Sequence, residues 1–138
     1  MRKIISTAIF GVMVLTMPLF AEDTPTAPSE YQNLTNPIKG TKDEIERGET
    51  LYRRKCNKCH GKKGDGHGIA SKNLETKPMD WSKPGYLKSR SDGQLFWFTK
   101  TGGKPDSEMG GYGKGTDANL SDEEIWMLLA YIRHEFTK

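Results

Sequence analysis

The stretch Cys56-Asn57-Lys58-Cys59-His60 decides the fold. It contains the only two cysteines of the 138-residue chain, and a histidine follows the second one directly. Each thiol can add across one vinyl group of a porphyrin, and the two intervening residues let one turn of backbone span both vinyl positions. His60 then lies under the iron, where its imidazole can be the proximal ligand. The motif therefore predicts one covalently attached haem c, with iron as its metal.

Three other uses of a Cys-x-x-Cys pair were weighed against haem. A redox dithiol does not need the histidine. A structural zinc site takes four ligands, usually from two such pairs, and the sequence has no second pair. A plain disulfide would fit an exported protein, but it leaves His60 unexplained.

Residues 1–21 have the features of a secretory signal peptide. Arg2 and Lys3 form a basic start, Ile4–Thr16 is apolar, and Ala21 offers a small residue for cleavage. The alternative is an uncleaved membrane anchor, for which the apolar core is short, because a span needs about 20 residues. We expect a periplasmic protein, since cells that use this haem motif attach the haem after export.

The charge of the mature chain is nearly balanced. Loss of the leader, with Arg2 and Lys3, reduces 21 basic residues to 19 against 18 acidic residues. The composition therefore gives no support for a nucleic-acid partner. We expect membrane contact only through a partner or an uncleaved leader.

Residues 22–40 are rich in proline and threonine and lack periodicity, which predicts a flexible lead-in. It leaves 41–138 as the folded domain. A domain of this size with many glycines buries little apolar surface by itself. A large apolar cofactor would complete the core, so we expect folding to depend on haem.

Three capping-box patterns mark helix starts, at Thr41–Glu44, Ser91–Gln94 and Ser121–Glu124. The first helix runs into Cys56, and the last carries apolar residues at helical spacing as far as Phe136. No segment reads as a strand, so the predicted fold class is all-α.

The second axial ligand has three methionine candidates after the leader. Met127 lies within the last helix and is predicted to be core. Met109 lies in a glycine-rich loop between two helices, which can bring its sulfur to the face opposite His60. Met79 follows a proline in another loop and competes with Met109. A thioether at this position would favour electron transfer.

The two remaining histidines are weaker candidates for the iron. His67 is only seven residues beyond His60, so it cannot easily reach the opposite face. His134 lies near the end of the last helix, where a cation suits the helix dipole. We expect both to be surface residues.

The order of these features resembles class I monohaem cytochrome c, particularly the bacterial periplasmic type. The likeness covers about 41–136, and it includes Gly48 and Tyr131, which match the residues at which the first and last helices cross in that family. The resemblance implies three to five helices wrapped around one haem. It also implies a one-electron carrier, not an enzyme, with ligands at His60 and Met109.

Basic residues cluster around the attachment motif and could dock an acidic redox partner: Arg53, Arg54, Lys55, Lys58, Lys62 and Lys63. An ordinary solvated surface explains them equally well. Two other functions stay open. One is a haem enzyme or gas sensor with an open sixth site, and the other is the cytochrome subunit of a larger dehydrogenase or oxidase complex.

Overall fold

The computed structural model describes residues 25–104 and 107–137, so the predicted signal peptide lies outside the described residues. Within these ranges the fold is all-α, as predicted, with no strand. The elements are α1 (Ser29–Gln32), α2 (Lys42–Lys55), α3 (Asn57–His60), α4 (Asp92–Thr101) and α5 (Asp122–Phe136), with short 3₁₀ turns at Ile69–Asn73 and Leu87–Ser89. No helix in the described part is long and apolar enough to cross a membrane.

The centre of the molecule is the crossing of α2 and α5 at Gly48. A Cβ atom added there would stand 2.3 Å from the carbonyl oxygen of Met127 and 2.8 Å from Cβ of Tyr131. The glycine therefore lets two helix backbones touch, which accounts for its place in a helix despite a cost of about 1 kcal/mol relative to alanine. Tyr52 and Leu128 are fully buried beside this crossing.

Both α2 and α5 begin with the complete capping box that the sequence predicts. In α2 the amide of Thr41 donates to Glu44 Oε2 at 2.8 Å, and the Thr41 side chain accepts from the Glu44 amide. Ser121 and Glu124 make the same reciprocal pair at the start of α5. These caps satisfy amides that have no partner inside the helix.

The capping box predicted at α4 is only half formed. Ser91 Oγ accepts from the Gln94 amide at 3.1 Å, as expected. The Gln94 side chain, however, turns to the lead-in, where it accepts from the Ala27 amide at 3.1 Å and donates to the Pro25 carbonyl at 2.7 Å. A tertiary contact replaces the local one.

Several residues of the predicted lead-in contact the helices of the domain. Ala27 is 2% exposed, and the Tyr31 ring packs against Phe96 with centroids 6.2 Å apart. The Asn36 side chain donates to the Trp126 carbonyl at 2.9 Å. The composition predicts a flexible segment because it is an average over all the residues of the lead-in. The contacts with α4 and α5 depend on only a few of them, namely Ala27, Tyr31 and Asn36.

Arg133 connects α5 to α4 and to the turn before α4. Its Nε donates to Asp92 Oδ1 at 2.7 Å, and its Nη2 lies 2.7 Å from the same oxygen as an ion pair. It also donates to the carbonyls of Leu87 and Arg90. A half-buried, charge-assisted hydrogen bond of this kind is among the stronger polar contacts in proteins.

Candidate haem site

An apolar cavity opens between α3, α4, α5 and the two long loops. All four predicted site residues line it, and its walls are mostly apolar. The lining includes Cys56, Cys59, His60, Leu74, Met79, Trp81, Leu95, Phe98, Met109, Tyr112, Leu128, Leu129 and Ile132. A flat apolar group attached at α3 would be enclosed by these side chains.

The attachment motif forms one helical turn at the end of α2. The Cys56 amide donates to the Tyr52 carbonyl at 2.9 Å, and the His60 amide donates to the Cys56 carbonyl at 2.9 Å. Helix α2 thus passes directly into α3. This single turn brings both thiols and the imidazole to the same cavity.

The burial of the Cys56 thiol argues against the dithiol alternative. Both cysteines are free. Burial raises the pKa of the Cys56 thiol to about 12, so the thiol stays neutral and differs from the reactive thiolate of a redox dithiol. No cluster of three or more metal-binding side chains occurs among the described residues.

His60 is buried and has the state that an iron ligand needs. Its ring stacks on Trp81, with centroids 4.0 Å apart and planes at 14°. Burial lowers the pKa of the imidazole to about 4, so the ring is neutral at pH 7. Its Nδ1 atom is buried without a hydrogen-bond partner in the described structure. A neutral buried imidazole beside two free thiols fits a haem that is attached by the thiols.

Tyr52 fixes the backbone that follows His60. Its buried hydroxyl donates to the Gly61 carbonyl at 2.6 Å. Further along the loop, the Gly66 amide donates to the His60 carbonyl at 3.0 Å, and the Gly68 amide donates to the Cys59 carbonyl at 3.1 Å. The imidazole therefore projects from a backbone that is held on three sides.

Met79 lines the cavity, and its backbone lies next to His60. Its backbone is close enough to the imidazole to oppose the effect of burial on the pKa of that ring. The next residue but one, Trp81, is the stacking partner of His60. Met79 itself is 38% exposed. The segment 79–81 thus forms the wall behind the imidazole.

Met109 lies in the loop that follows the C-terminal end of α4. The amide of Gly103 donates to the Met109 carbonyl at 2.9 Å, which folds the loop back onto the end of the helix. Gly102 has φ +108°, a conformation that favours glycine. In the same loop, the Tyr112 hydroxyl donates to the Lys55 carbonyl at 3.2 Å, next to the attachment motif.

The other candidate ligands are placed as the sequence predicts. Met127 is 3% exposed and does not line the cavity. The side chain of His67 is 84% exposed, and His134 is exposed on α5.

Sequence reasoning missed three residues of the site. Trp81 stacks on His60, Tyr112 ties the Met109 loop to α2, and Glu108 accepts from the Glu75 amide at 2.8 Å. All three lie in loops, where no periodicity distinguishes a contact residue from a solvated one. For Tyr112, its position as an aromatic residue in a glycine-rich loop is the one signal that could have found it.

This fold and this site define the class: a class I c-type cytochrome, with covalently bound haem c and iron, that transfers electrons. Residues 43–132 match the family described as cytochrome c oxidase, cbb3-type, subunit III, and the chain belongs to that family.

Two solved structures are similar to this chain. One is from the reducing HAO-like protein complex of Kuenenia stuttgartiensis, at 27% identity and a TM-score of 0.60, covering 71% of this chain and 46% of that one. The other is cytochrome cL of the marine methylotroph Methylophaga aminisulfidivorans, at 26% identity and a TM-score of 0.51, covering 72% and 60%. The chain thus spans about half of the first and three fifths of the second. No curated protein matches the sequence.

Proposed function

We propose that this chain is an exported, periplasmic one-electron carrier. Its haem c is attached through Cys56 and Cys59 and held axially by His60 and Met109. When bound, the haem supplies an iron that alternates between the ferrous and ferric states. The observation that carries the proposal is that His60 of α3 and Met109 of the loop after α4 line one apolar cavity, while the backbone of the competing Met79 lies beside the imidazole.

The position of Met79 favours Met109 as the sixth ligand. The Met79 backbone is next to the His60 ring, and Trp81 stacks on that ring. A porphyrin attached over His60 would separate this segment from the opposite face of the iron. The Met109 loop, which starts at the end of α4, has no such barrier.

The ferric near-infrared band from sulfur to iron tests this assignment. Met109→Ala should lose the band, and the matched control Met79→Ala should keep it. The reverse pattern would assign the ligand to Met79. Rapid carbon monoxide binding by the ferrous wild type at neutral pH would instead support a haem enzyme or gas sensor with an open sixth site.

A positive rim beside the attachment motif supports docking of an acidic redox partner. Four of its residues are exposed around α3, namely Arg54, Lys58, Lys62 and Lys63. Arg53 is also exposed and faces Glu49 at 3.7 Å, whereas Lys55 is half-buried. Encounters between redox proteins are often small and assisted by charge.

Charge reversal tests the docking role. Lys58→Glu and Lys62→Glu should slow reduction by an acidic partner and flatten its dependence on salt. Lys42→Glu is the control, because Lys42 is equally exposed but lies at the opposite end of α2. Equal rates in all three variants would contradict the role of the rim.

A second candidate function is the cytochrome subunit of a larger complex. It is favoured by the similarity to a chain of the Kuenenia stuttgartiensis complex. Isolation from the periplasm as a lone monomer would support the carrier, and stable co-purification with a catalytic subunit would support the complex. The mature N-terminus of the exported product would test cleavage after Ala21.

A further inference from the structure

We propose that Glu108 is the positioning residue for Met109, and that it acts by fastening the Met109 loop to the segment 74–77 across the mouth of the cavity. This inference rests on the proposed role of Met109 as sixth ligand. Glu108 immediately precedes Met109 in the chain, so any restraint on its side chain acts one peptide away from the sulfur ligand.

The hydrogen bond joins two segments that line the cavity. Glu108 Oε1 accepts from the Glu75 amide at 2.8 Å, over 33 residues of sequence. Leu74 and Thr76, on either side of Glu75, line one wall, while Glu108 and Met109 line another. The contact therefore joins the edges of the cavity where a haem would be enclosed.

The segment that contains the Glu75 amide is itself held by hydrogen bonds. Lys77 Nζ donates to the carbonyls of Ser71 at 2.7 Å and Leu74 at 3.1 Å, which closes the turn that carries the Glu75 amide. Ser71 Oγ donates to the Gly68 carbonyl at 2.8 Å. The Gly68 amide donates to the Cys59 carbonyl at 3.1 Å. Glu108 thus connects the Met109 loop to the attachment motif through a chain of hydrogen bonds.

The remaining hydrogen bonds of the Met109 loop do not replace this restraint. In the described part of the loop they run to the end of α4, through Gly103 and Tyr112, and to α2 through the Tyr112 hydroxyl. None of them reaches the 74–77 wall. Loss of the Glu108 contact would leave the loop hinged on one side, free to swing Met109 away from the iron.

Competition by imidazole for the ferric iron measures how firmly Met109 is held. Glu108→Ala should raise the apparent imidazole affinity by about threefold to tenfold, the equivalent of one ordinary hydrogen bond. It should also weaken the sulfur-to-iron band and lower the reduction potential, since a less occupied thioether stabilises the ferrous state less.

Two matched variants separate positioning from charge. Glu108→Gln keeps an oxygen that accepts from the Glu75 amide, so it should stay close to the wild type. Glu75→Gln removes a carboxylate at the same edge but leaves the donating amide, so it should not change the affinity. Equal shifts in all three variants would assign the effect to charge and overturn the proposal, as would a wild-type affinity in Glu108→Ala.

Met109→Ala and Glu108→Ala together distinguish ligation by Met109 from positioning by Glu108. If Met109→Ala retains the sulfur-to-iron band, the proposed ligation fails, and the positioning role fails with it. If Met109→Ala loses the band and Glu108→Ala matches the wild type, only the positioning role is overturned. Because the Glu108 side chain is exposed, its removal leaves the core intact.

Discussion

Tyr52 shows how a single residue of the core serves the site. Its ring is 1% exposed and packs against Phe136 and Tyr131. Its hydroxyl donates to the carbonyl just after His60. Burial raises the pKa of the phenol, so the hydroxyl keeps its proton and remains a donor at any ordinary pH.

Tyr52→Phe should therefore lower the free energy of unfolding by about 1–3 kcal/mol, because it leaves the Gly61 carbonyl buried without its donor. Urea unfolding of the haem-loaded protein measures this. Tyr131→Phe is the control: it removes a hydroxyl from the same helix crossing at a half-buried position, and we expect a smaller change. Equal losses in both variants would mean that the hydrogen bond to the Gly61 carbonyl adds nothing to the free energy of unfolding beyond the loss of a hydroxyl group.

Gly48 is the second residue on which the core depends. Gly48→Ala should destabilise the protein by about 1–3 kcal/mol, since the added methyl group would overlap the Met127 carbonyl and force α2 and α5 apart. Thermal unfolding checks the result. Gly110→Ala is the matched control, because nothing lies within 4 Å of a Cβ added there. A stable Gly48→Ala protein would show that the crossing can relax.

Single site residues could be predicted from the sequence only where their chemistry requires a fixed spacing along the chain. Cys56, Cys59 and His60 were identifiable because thioether attachment requires those atoms at that spacing. Trp81 and Glu108 were not, because their partners are 21 and 33 residues away in the chain. Nothing local in the sequence marks such contacts.

At the scale of elements, helix starts were the most predictable feature. A cap depends on four consecutive residues, so the sequence contains all of its parts. The α4 cap shows the limit of this rule, because Gln94 had a competing partner in the lead-in. The packing of the lead-in and of α1 could not be predicted from composition either, because it also depends on contacts with distant segments.

The cap of α5 should make stability depend on acidity. The Ser121 amide and hydroxyl, which donate to the Glu124 carboxylate, lower the pKa of that group from its usual 4.5. A lowered folded pKa gives stability that is present above pH 4.5 and is lost as the pH falls through the folded value. We therefore expect part of the stability to disappear below about pH 4.5, as measured by unfolding at a series of pH values.

Two variants separate the cap from general acid sensitivity. Ser121→Ala should cost about 1 kcal/mol at neutral pH. Glu124→Gln should reduce the dependence on pH below 4.5, whereas Glu123→Gln, in the same exposed turn, should leave it unchanged. An unchanged profile in Glu124→Gln would show that another group is responsible.

At the scale of the whole molecule, the cavity and the core are continuous. Leu128, Leu129 and Ile132 of α5 belong to the buried core and also line the cavity. An empty cavity would expose these side chains to water, at a cost of about 25 cal/mol per Å² of apolar surface. The haem is thus expected to be part of the core.

A Cys56→Ala/Cys59→Ala double variant should fail to retain haem and should lose its cooperative unfolding transition. Far-ultraviolet circular dichroism and limited proteolysis measure the loss. A well-folded, protease-resistant protein without haem would show that the helices form a sufficient core alone. His67→Ala, at an exposed position, is the control and should fold normally.

The sequence by itself determined the haem motif, the three capped helices and the all-α class, because each depends on residues close together in the chain. Only the tertiary structure decided that Met109 and His60 line the same cavity, which glycine lets two helices touch, and that Ala27, Tyr31 and Asn36 pack on α4 and α5. These features arise from contacts between distant segments, and their free energy depends on where the chain brings those segments together.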